Sequence, residues 1–236
     1  MENLRFGTMY EGGMPISPSS NANATMGLTL GDTVPGKEIR WLEFKNLLIA
    51  DRCVCTGISW DDLRQAGLLD GKPVKIDGKD YLCRSLKVGS MPGEPNEWDD
   101  ALNALGEDDK DWHWLGDKFW GQETAEEDRS CGVLRGSIYP RKRTFELKNA
   151  RYVGGFRPVL EPLSTFTDLS EKLIGSTIKI WGPRRAAIEG QLVDFDDYDV
   201  TLSTMEILPC SRNWGCTDEG EIIISREKIS ALWQCN

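Results

Sequence analysis

The chain has 236 residues, of which 39% are hydrophobic and 28% are charged, and its formal net charge is −10. This composition is ordinary for a globular protein and excludes an intrinsically disordered one. The apolar runs are too short to span a membrane, and residues 1–12 lack the apolar region of a secretory signal, so a cytoplasmic location is favoured unless a signal was removed from a longer precursor.

Turn-forming residues dominate the start of the chain. Residues 1–38 are rich in glycine, proline and serine and show little apolar periodicity, which predicts a loosely ordered leader. The sequence does not choose between an arm, a linker and a loop packed on the body. Residues 41–49 are apolar enough for a strand or a helix, and the pattern does not choose between them. We therefore expect the first domain to begin at about residue 39.

A short helix and a hairpin are predicted next. Ser59 and Asp62 have the spacing of a capping box, which predicts a helix over Trp60–Ala66. The pair Asp77-Gly78 separates two apolar runs, and such a pair favours a tight hairpin turn because both residues tolerate positive φ. Farther along, a helix is predicted at 97–105, capped by an asparagine at position 96.

Four tryptophans then lie within about two dozen positions, in an acidic setting. Trp112 and Trp114 flank His113, the only histidine. Buried tryptophans are large pieces of core, and we prefer this interpretation. Exposed ones would stack on sugars, so carbohydrate recognition by Trp112 and Trp114 remains an alternative. A single histidine with no nucleophile placed to use it as a base predicts no catalytic residue.

The seven cysteines do not form the pattern of a disulfide scaffold, and they fit reduced thiols in a cytosol. Cys53 with Cys55 and Cys210 with Cys216 would make an atypical zinc site, because neither pair has the usual spacing. Buried structural thiols are the preferred interpretation. We therefore expect no metal and no cofactor.

The charges are distributed unevenly. Thirteen acidic and three basic residues lie between Glu94 and Arg129, whereas Ser137–Val153 holds five basic residues against Glu146 alone. We interpret the acidic run as a solvated loop. An acidic chain does not bind nucleic acid nonspecifically, since contacts to phosphates dominate that affinity, but a local basic segment can still meet an acidic partner.

Two stretches around that basic segment carry a family resemblance. Leu134-Arg135-Gly136-Ser137, followed after a variable segment by Gly154-Gly155-Phe156-Arg157-Pro158-Val159-Leu160-Glu161, resembles the closing signature of the formylglycine-generating-enzyme-like branch of the C-type lectin fold. Trp112-x-Trp114 and the run from Trp120 to Thr124 look like the sequence that precedes this signature in prophage-type proteins. The resemblance covers residues 39–162 and implies an α+β, lectin-like domain.

The resemblance also suggests roles for particular residues. Arg135 and Arg157 are expected to hold carbonyl or carboxylate groups inside the fold. In related ligand-displaying members the segment between the two stretches meets the partner. The candidate partner-binding residues are Tyr139, Arg141, Arg143 and Arg151, with Trp112 and Trp114. The cysteine pair and the histidine cluster of the catalytic relatives have no counterparts here, so no enzyme activity is expected.

After Pro162 the pattern changes to a short helix over Ser164–Leu173 and five strands, at 177–181, 187–193, 199–202, 221–224 and 228–233. Five short strands suggest a small SH3-like barrel. Gly190–Leu202 resembles the first Sm motif and Ile224–Leu232 the second, so residues 164–236 look like an Sm-like domain, with an insertion around 207–219.

The Sm-like segment departs from the family where RNA binding resides. The base-reading asparagine is missing, and the lysine–histidine pair of the bacterial second motif appears as Glu227-Lys228. Twelve acidic residues face seven basic ones from residue 164 onward. Arg184, Arg185 and Lys228 remain candidate phosphate-binding residues. The alternative is a barrel that only stabilises or oligomerises the chain.

These observations favour a non-catalytic, phage- or prophage-associated binding protein with a protein partner. It would act in the host cytoplasm or on the virion, without a membrane and with a homo-oligomer as an option. The alternative is an intracellular nucleotide- or RNA-binding protein, or an inhibitor of host defence, acting through the Sm-like barrel.

Overall fold

A computed structural model describes residues 4–22, 27–163, 169–182, 187–203, 215–218, 221–229 and 231–234. The chain divides into two units, Met1–Pro162 and Leu163–Asn236. Of the described residues, 47% lie in strands and only 13% in helices. The protein is mostly β, so the expected α+β class is wrong. The predicted helices are short and the strands continue into regions where the sequence showed no strand periodicity.

The first unit is built from three sheets. Its strands are β1 (Leu4–Phe6), β2 (Thr8–Glu11), β3 (Met14–Ile16), β4 (Ser20–Asn21), β5 (Leu28–Gly31), β6 (Ile39–Phe44), β7 (Leu47–Ala50), β8 (Cys55–Thr56), β9 (Lys72–Ile76), β10 (Lys79–Ser85), β11 (Lys118–Thr124), β12 (Cys131–Gly136), β13 (Arg143–Leu147), β14 (Gly155–Phe156) and β15 (Pro158–Pro162). Two six-stranded sheets have the orders β1-β6-β7-β15-β10-β9 and β13-β12-β11-β14-β8-β4, and β3-β2-β5 form the third.

Of the alternatives left open for the leader, the described residues 4–22 and 27–38 pack on the body as part of this unit. Strands β1 to β5 lie in it, and β1 pairs antiparallel with β6. The side chains of Met9 and Leu30 are buried in the core, and Trp41 Nε1 donates to Phe6 O at 2.9 Å. The strands are two to four residues long. That is too short for the alternation that identifies a strand in sequence, and turn residues separate them.

The locally encoded elements form as predicted. Helix α1 (Trp60–Ala66) begins with a complete capping box, in which Asp62 N donates to Ser59 Oγ at 3.1 Å and Ser59 N donates to Asp62 Oδ2 at 2.9 Å. Helix α2 (Glu97–Leu105) is capped by Asn96, whose Oδ1 accepts a hydrogen bond from Asp99 N. A third helix, α3 (Asp109–Trp112), was not predicted.

The predicted hairpin is formed by β9 and β10, which pair antiparallel up to Lys79 opposite Ile76. The turn residues Asp77 and Gly78 have φ of 50° and 80°. Positive φ at both central residues matches the turn to the twist of the strands, and this is why Asp-Gly is favoured there. Residues 41–49, which the sequence left open, lie in the antiparallel pair β6 and β7.

The second stretch of the proposed signature runs between the two large sheets. Gly155–Phe156 forms β14 in one sheet, and β15 after Arg157 belongs to the other. Phe156, Val159 and Leu160 are fully buried, as expected of core residues. A Cβ at Gly155 would lie 2.6 Å from the carbonyl oxygen of Cys55, so the two backbones approach closely enough to require glycine.

The second unit is one antiparallel sheet with a core of its own. Its strands are β16 (Thr177–Trp181), β17 (Ala187–Phe195), β18 (Asp199–Ser203), β19 (Gly215–Asp218), β20 (Glu221–Ser225) and β21 (Ala231–Gln234), in the order β19-β20-β18-β17-β16-β21. All five predicted strands have a counterpart, but the last begins at Ala231 instead of Lys228, because Arg226–Lys228 form a 3-10 turn. Strand β19 is additional and lies in the predicted insertion.

The predicted helix of this unit begins outside the described residues, which resume at Leu169. Its described end contains only a 3-10 turn, Glu171–Leu173. A second 3-10 turn, Arg226–Lys228, precedes β21. Among the described residues no helix combines the length and the apolar character needed to cross a membrane.

Candidate partner-binding surface

The segment proposed to meet a partner follows β12 and contains β13. The two strands pair antiparallel, from Cys131 opposite Leu147 to Arg135 opposite Arg143. The loop between them is held against the residues after α3. Ser137 N donates to the carbonyl oxygen of Trp114 at 2.9 Å, and Gly116 N donates to Ser137 O at 2.8 Å. The loop is therefore attached to the scaffold at its base.

Three apolar side chains project next to this attachment. Leu115, which forms a backbone bridge with Ser137, and Ile138 are each 64% exposed, and Tyr139 is 54% exposed. We call Leu115, Ile138 and Tyr139 the apolar loop patch. Exposed apolar side chains gain by leaving water, so a group of them marks a contact surface. Tyr139 is the predicted site residue whose exposure fits its proposed role.

Exposed apolar residues are concentrated in the whole segment. Five of the eleven exposed large hydrophobic residues in the described part of the chain lie between positions 137 and 153. They are Ile138, Tyr139, Phe145, Leu147 and Tyr152. Of these five, only Tyr139 was among the predicted partner-binding residues, because the basic residues of the segment dominated that prediction. The alternation of Phe145 and Leu147 with polar neighbours predicts a strand with one buried face, so the pattern by itself did not indicate that both side chains are exposed.

The arginines predicted to face a partner are engaged within the chain. Arg141 Nε donates to Glu107 Oε1 at 2.6 Å, and its Nη2 donates to Asn103 Oδ1 at 2.7 Å. Arg143 Nη2 donates to the carbonyl oxygen of Val88 at 3.0 Å. These two side chains therefore tie the segment to α2 and its surroundings, and a partner contact by either of them stays a prediction.

Arg151, the third of these arginines, binds α1. Its Nε and Nη2 donate to the two carboxylate oxygens of Asp62 at 3.0 and 2.8 Å. Burial by itself would raise the pKa of Asp62, but hydrogen bonds from Arg151 and Ser59 outweigh it, and the pKa lies below its usual value. The same pairing raises the pKa of Arg151. Its charge is thus neutralised locally.

The acidic run that we interpreted as a solvated loop supplies several of these counter-charges. It contains α2 and α3, and Asp99 of α2 forms ion pairs with both Arg135 and Arg141. Lys118 Nζ lies 4.0 Å from Oε1 of Glu146 in β13. The excess of acidic residues in one segment and of basic residues in the other is therefore partly balanced across the fold.

Arg135 and Arg157 have the scaffold roles that were predicted. Arg135 donates to the carbonyl oxygen of Val88 at 2.8 Å and to Asp99. Arg157 is fully buried and donates to Ala50 O at 3.1 Å and to Trp112 O at 2.7 Å. Burial lowers the pKa of both guanidinium groups. Each arginine joins backbone segments that are distant in sequence, so each stabilises the fold rather than a ligand.

The tryptophans behave as core residues. Trp112 is fully buried, packs edge-on against Trp98 with ring centroids 5.0 Å apart, and donates through Nε1 to Gly106 O at 2.8 Å. Trp114 is partly buried, and its Nε1 donates to Glu107 O at 2.9 Å. Because it is buried, Trp112 is removed from the partner-binding candidates. For the same reason it cannot stack on a sugar together with Trp114.

The only histidine lies in a polar cluster that the sequence did not indicate. Asp51, which is buried, accepts two hydrogen bonds from Arg52, and its Oδ2 lies 3.4 Å from His113 Nδ1. Arg52 Nη2 also lies 2.9 Å from His113 Nε2. The hydrogen-bond and ion-pair partners of the His113 ring among the described side chains are thus a guanidinium and a carboxylate. Neither is a nucleophile for acyl transfer.

The three buried cysteines, Cys53, Cys55 and Cys83, are structural rather than reactive. Burial raises the pKa of Cys53 and of Cys83 to about 12, and it also raises the pKa of Cys55. Protonated, inaccessible thiols neither attack substrates nor bind metals readily. The described residues contain no cluster of three or more side chains that could hold a metal ion. The second half of the considered zinc site, Cys210 and the side chain of Cys216, lies outside them.

The candidate phosphate-binding residues belong to the second unit. Lys228 ends the 3-10 turn before β21 and is exposed. Arg184 and Arg185 lie outside the described residues. The neighbouring Arg226 donates through Nη1 to Asp196 O at 2.7 Å. Phosphate binding at this unit therefore stays a prediction.

Comparisons with protein-family models, with curated proteins and with solved structures found no match to the chain. The resemblances to the formylglycine-generating-enzyme-like and Sm-like families accordingly remain predictions from the motifs.

Proposed function

We propose that the protein is a non-catalytic binding protein, and that it contacts a protein partner through the apolar loop patch. The observation that carries this proposal is the concentration of exposed large hydrophobic side chains in residues 137–153. Aromatic and aliphatic side chains at the centre of an interface supply most of the binding energy. Attachment of the loop to Trp114 and Gly116 presents these side chains with little loss of conformational entropy on binding.

A protein partner suits this surface better than a sugar or a nucleic acid. Nucleic acids are bound chiefly by cationic groups, and the arginines of the segment are already held by Glu107, Asn103, Val88 O and Asp62. Sugar binding commonly uses exposed tryptophans, whereas Trp112 is buried. The segment also exposes five large aliphatic and aromatic side chains, which a protein partner can cover.

The chemistry of the remaining polar groups supports a non-catalytic role. The buried cysteines are protonated, and His113 contacts Asp51 and Arg52 rather than a hydroxyl or thiol group. A phage setting, in the host cytoplasm or on the virion, rests on the resemblance of the motifs at residues 134–161 to prophage-type modules.

The experiment replaces Ile138 and Tyr139 by serine together and compares capture of proteins by the immobilised variant and the original chain. Lysate of the native host and purified phage particles are the two sources, and retained proteins are quantified by mass spectrometry. The control replaces Met14 and Tyr198, which are also highly exposed, by serine. It corrects for nonspecific retention by exposed apolar side chains.

We expect a partner whose retention falls at least about tenfold in the loop variant and not in the control. Titration calorimetry with that purified partner then measures the loss of affinity directly. Equal retention of every protein by both variants would remove the apolar loop patch from consideration.

A further inference from the structure

Strand β13 has an open edge. Lys148 N donates to Ser130 O at 3.0 Å, and Gly136 N donates to Lys142 O at 3.2 Å, so the even-numbered residues of this segment bond to β12. Antiparallel ladders alternate with a period of two, and the odd-numbered residues therefore direct their N–H and C=O groups away from β12. No strand pairs with this side of β13 within the described ranges.

Five backbone groups of β13 are available at this edge. The carbonyl oxygen of Leu147 accepts from Ala150 N at 2.8 Å. The N–H and C=O groups of Arg143 and Phe145, together with the N–H of Leu147, have no backbone partner in the described part of the chain. Such a row of unpaired groups is a template for another strand.

We propose that β13 pairs antiparallel with β13 of a second copy of this chain, in a register centred on Thr144. A twofold axis through the paired strands makes the contact isologous and closed, so it produces a dimer rather than a fibre. In this register Arg143 lies opposite Phe145 of the second copy, and each pair exchanges two backbone bonds, about four in all. These four hydrogen bonds use only backbone groups of β13 that have no backbone partner within the described part of the chain.

Charge selects this register among the four in-phase registers centred on residues 143 to 146, since centring on Arg143 would place that cation opposite its own copy. Centred on Thr144, it places Lys142 opposite Glu146 of the second copy, twice. Centred on Phe145, it would place Lys142 opposite Lys148, and centred on Glu146 it would place that carboxylate against its own copy. Like charges directly opposite destabilise a strand pair, and opposite charges stabilise it.

Two further features agree with the Thr144 register. The registers centred on Phe145 and Glu146 both need the carbonyl oxygen of Leu147, which already accepts a hydrogen bond from Ala150. In the Thr144 register the exposed ring of Phe145 of one copy packs on the aliphatic stem of Arg143 of the other copy. The guanidinium of that arginine is held by Val88 O of its own chain. The contact thus covers an aromatic side chain that solvent now reaches.

The expected dimer is weak. Five residues on each side bury less surface than the roughly 1,200 Å² typical of stable interfaces, so a dissociation constant of about 10 to 100 μM is expected. This dimer goes beyond partner capture by the apolar loop patch and uses other side chains. A failure of one leaves the other to be judged by its own experiment.

The test is sedimentation velocity of the full chain from about 1 to 300 μM, which brackets the expected constant. Glu146→Lys and Lys142→Glu each create like-charge pairs across the axis and should weaken the dimer at least tenfold. The double variant, with both substitutions, restores opposite charges and should restore the dimer. Lys118→Ala, which removes the internal partner of Glu146 but leaves the edge intact, should dimerise like the original chain.

A second pair of variants tests the backbone bonds. Phe145→Pro removes an outward N–H and leaves the ladder to β12 intact, so it should be monomeric with a melting temperature near that of the original chain. Thr144→Pro removes an inward N–H and should lower the melting temperature clearly. A chain that stays monomeric throughout the range overturns the proposal. So does a dimer that Phe145→Pro leaves unchanged, or a dimer that the double variant fails to restore.

Discussion

Arg151 and Asp62 bind each other at two points, through Nε to Oδ2 at 3.0 Å and Nη2 to Oδ1 at 2.8 Å, although 89 positions separate them. Asp62 also completes the capping box of α1 with Ser59. One carboxylate therefore fixes the start of a helix and holds the far end of the segment that contains the candidate surface. An arginine that looks like a partner contact in sequence is thereby a structural residue.

The double role of Asp62 gives a pH-dependent stability. Asp62→Ala should lower the free energy of unfolding by about 1 kcal/mol at pH 7, because it removes the carboxylate that accepts from Ser59 N in the capping box and that binds Arg151. The folded-state pKa of Asp62 lies below its unfolded value, so its contribution is present above about pH 4 and is lost as the pH falls through the folded-state pKa. Urea unfolding at pH 7 and at pH 3 should show the difference between the two proteins shrinking. An equal difference at both values would contradict this role.

Arg157 should be among the residues to which stability is most sensitive. Arg157→Met keeps much of the side-chain volume but leaves the carbonyl oxygens of Ala50 and Trp112 without this buried donor. It should lower the free energy of unfolding by about 3 kcal/mol or more. Arg157→Lys should rescue only part of this, because an ammonium lacks the planar fork that reaches both oxygens. Denaturant titration measures both losses. A cost below about 1 kcal/mol for the methionine variant would refute the scaffold role.

Two methionines five positions apart test whether the first strands belong to the core. Met9 is buried, whereas Met14 is exposed. Met9→Ala should lower the free energy of unfolding by about 2 to 5 kcal/mol, and the matched variant Met14→Ala by less than about 0.5 kcal/mol. Thermal unfolding followed by circular dichroism separates the two. If both variants lowered the free energy of unfolding by similar small amounts, the first strands would not contribute to the core.

Cysteine labelling tests the packing near the proposed signature. With a pKa of about 12, Cys53 and Cys83 are protonated at pH 8, and all three buried thiols, Cys55 included, are inaccessible. Iodoacetamide should therefore label Cys131, which is partly exposed, before these three in the native protein. All four should react after unfolding in urea. Peptide mapping by mass spectrometry follows each site, and early native labelling of Cys53 would contradict the burial.

The sequence by itself determined the features that depend on neighbouring residues. The capping box at Ser59 and Asp62, the cap at Asn96 and the Asp77-Gly78 turn are set by hydrogen bonds and φ angles within a few positions, and each formed as predicted. The strands of the second unit were readable because their buried faces repeat every second residue.

The tertiary structure decided which side chains reach solvent. The pairing of Arg151 with Asp62 and of Arg141 with Glu107 joins segments far apart in the chain, so counting charges along the sequence overstated the basic surface. Two-residue and four-residue strands at the start of the chain carry too few side chains to show a period, and they form because partners elsewhere satisfy their backbone groups. The open edge of β13 has the same origin, since whether a strand lies at the centre or at the edge of a sheet depends on long-range pairing that local sequence does not encode.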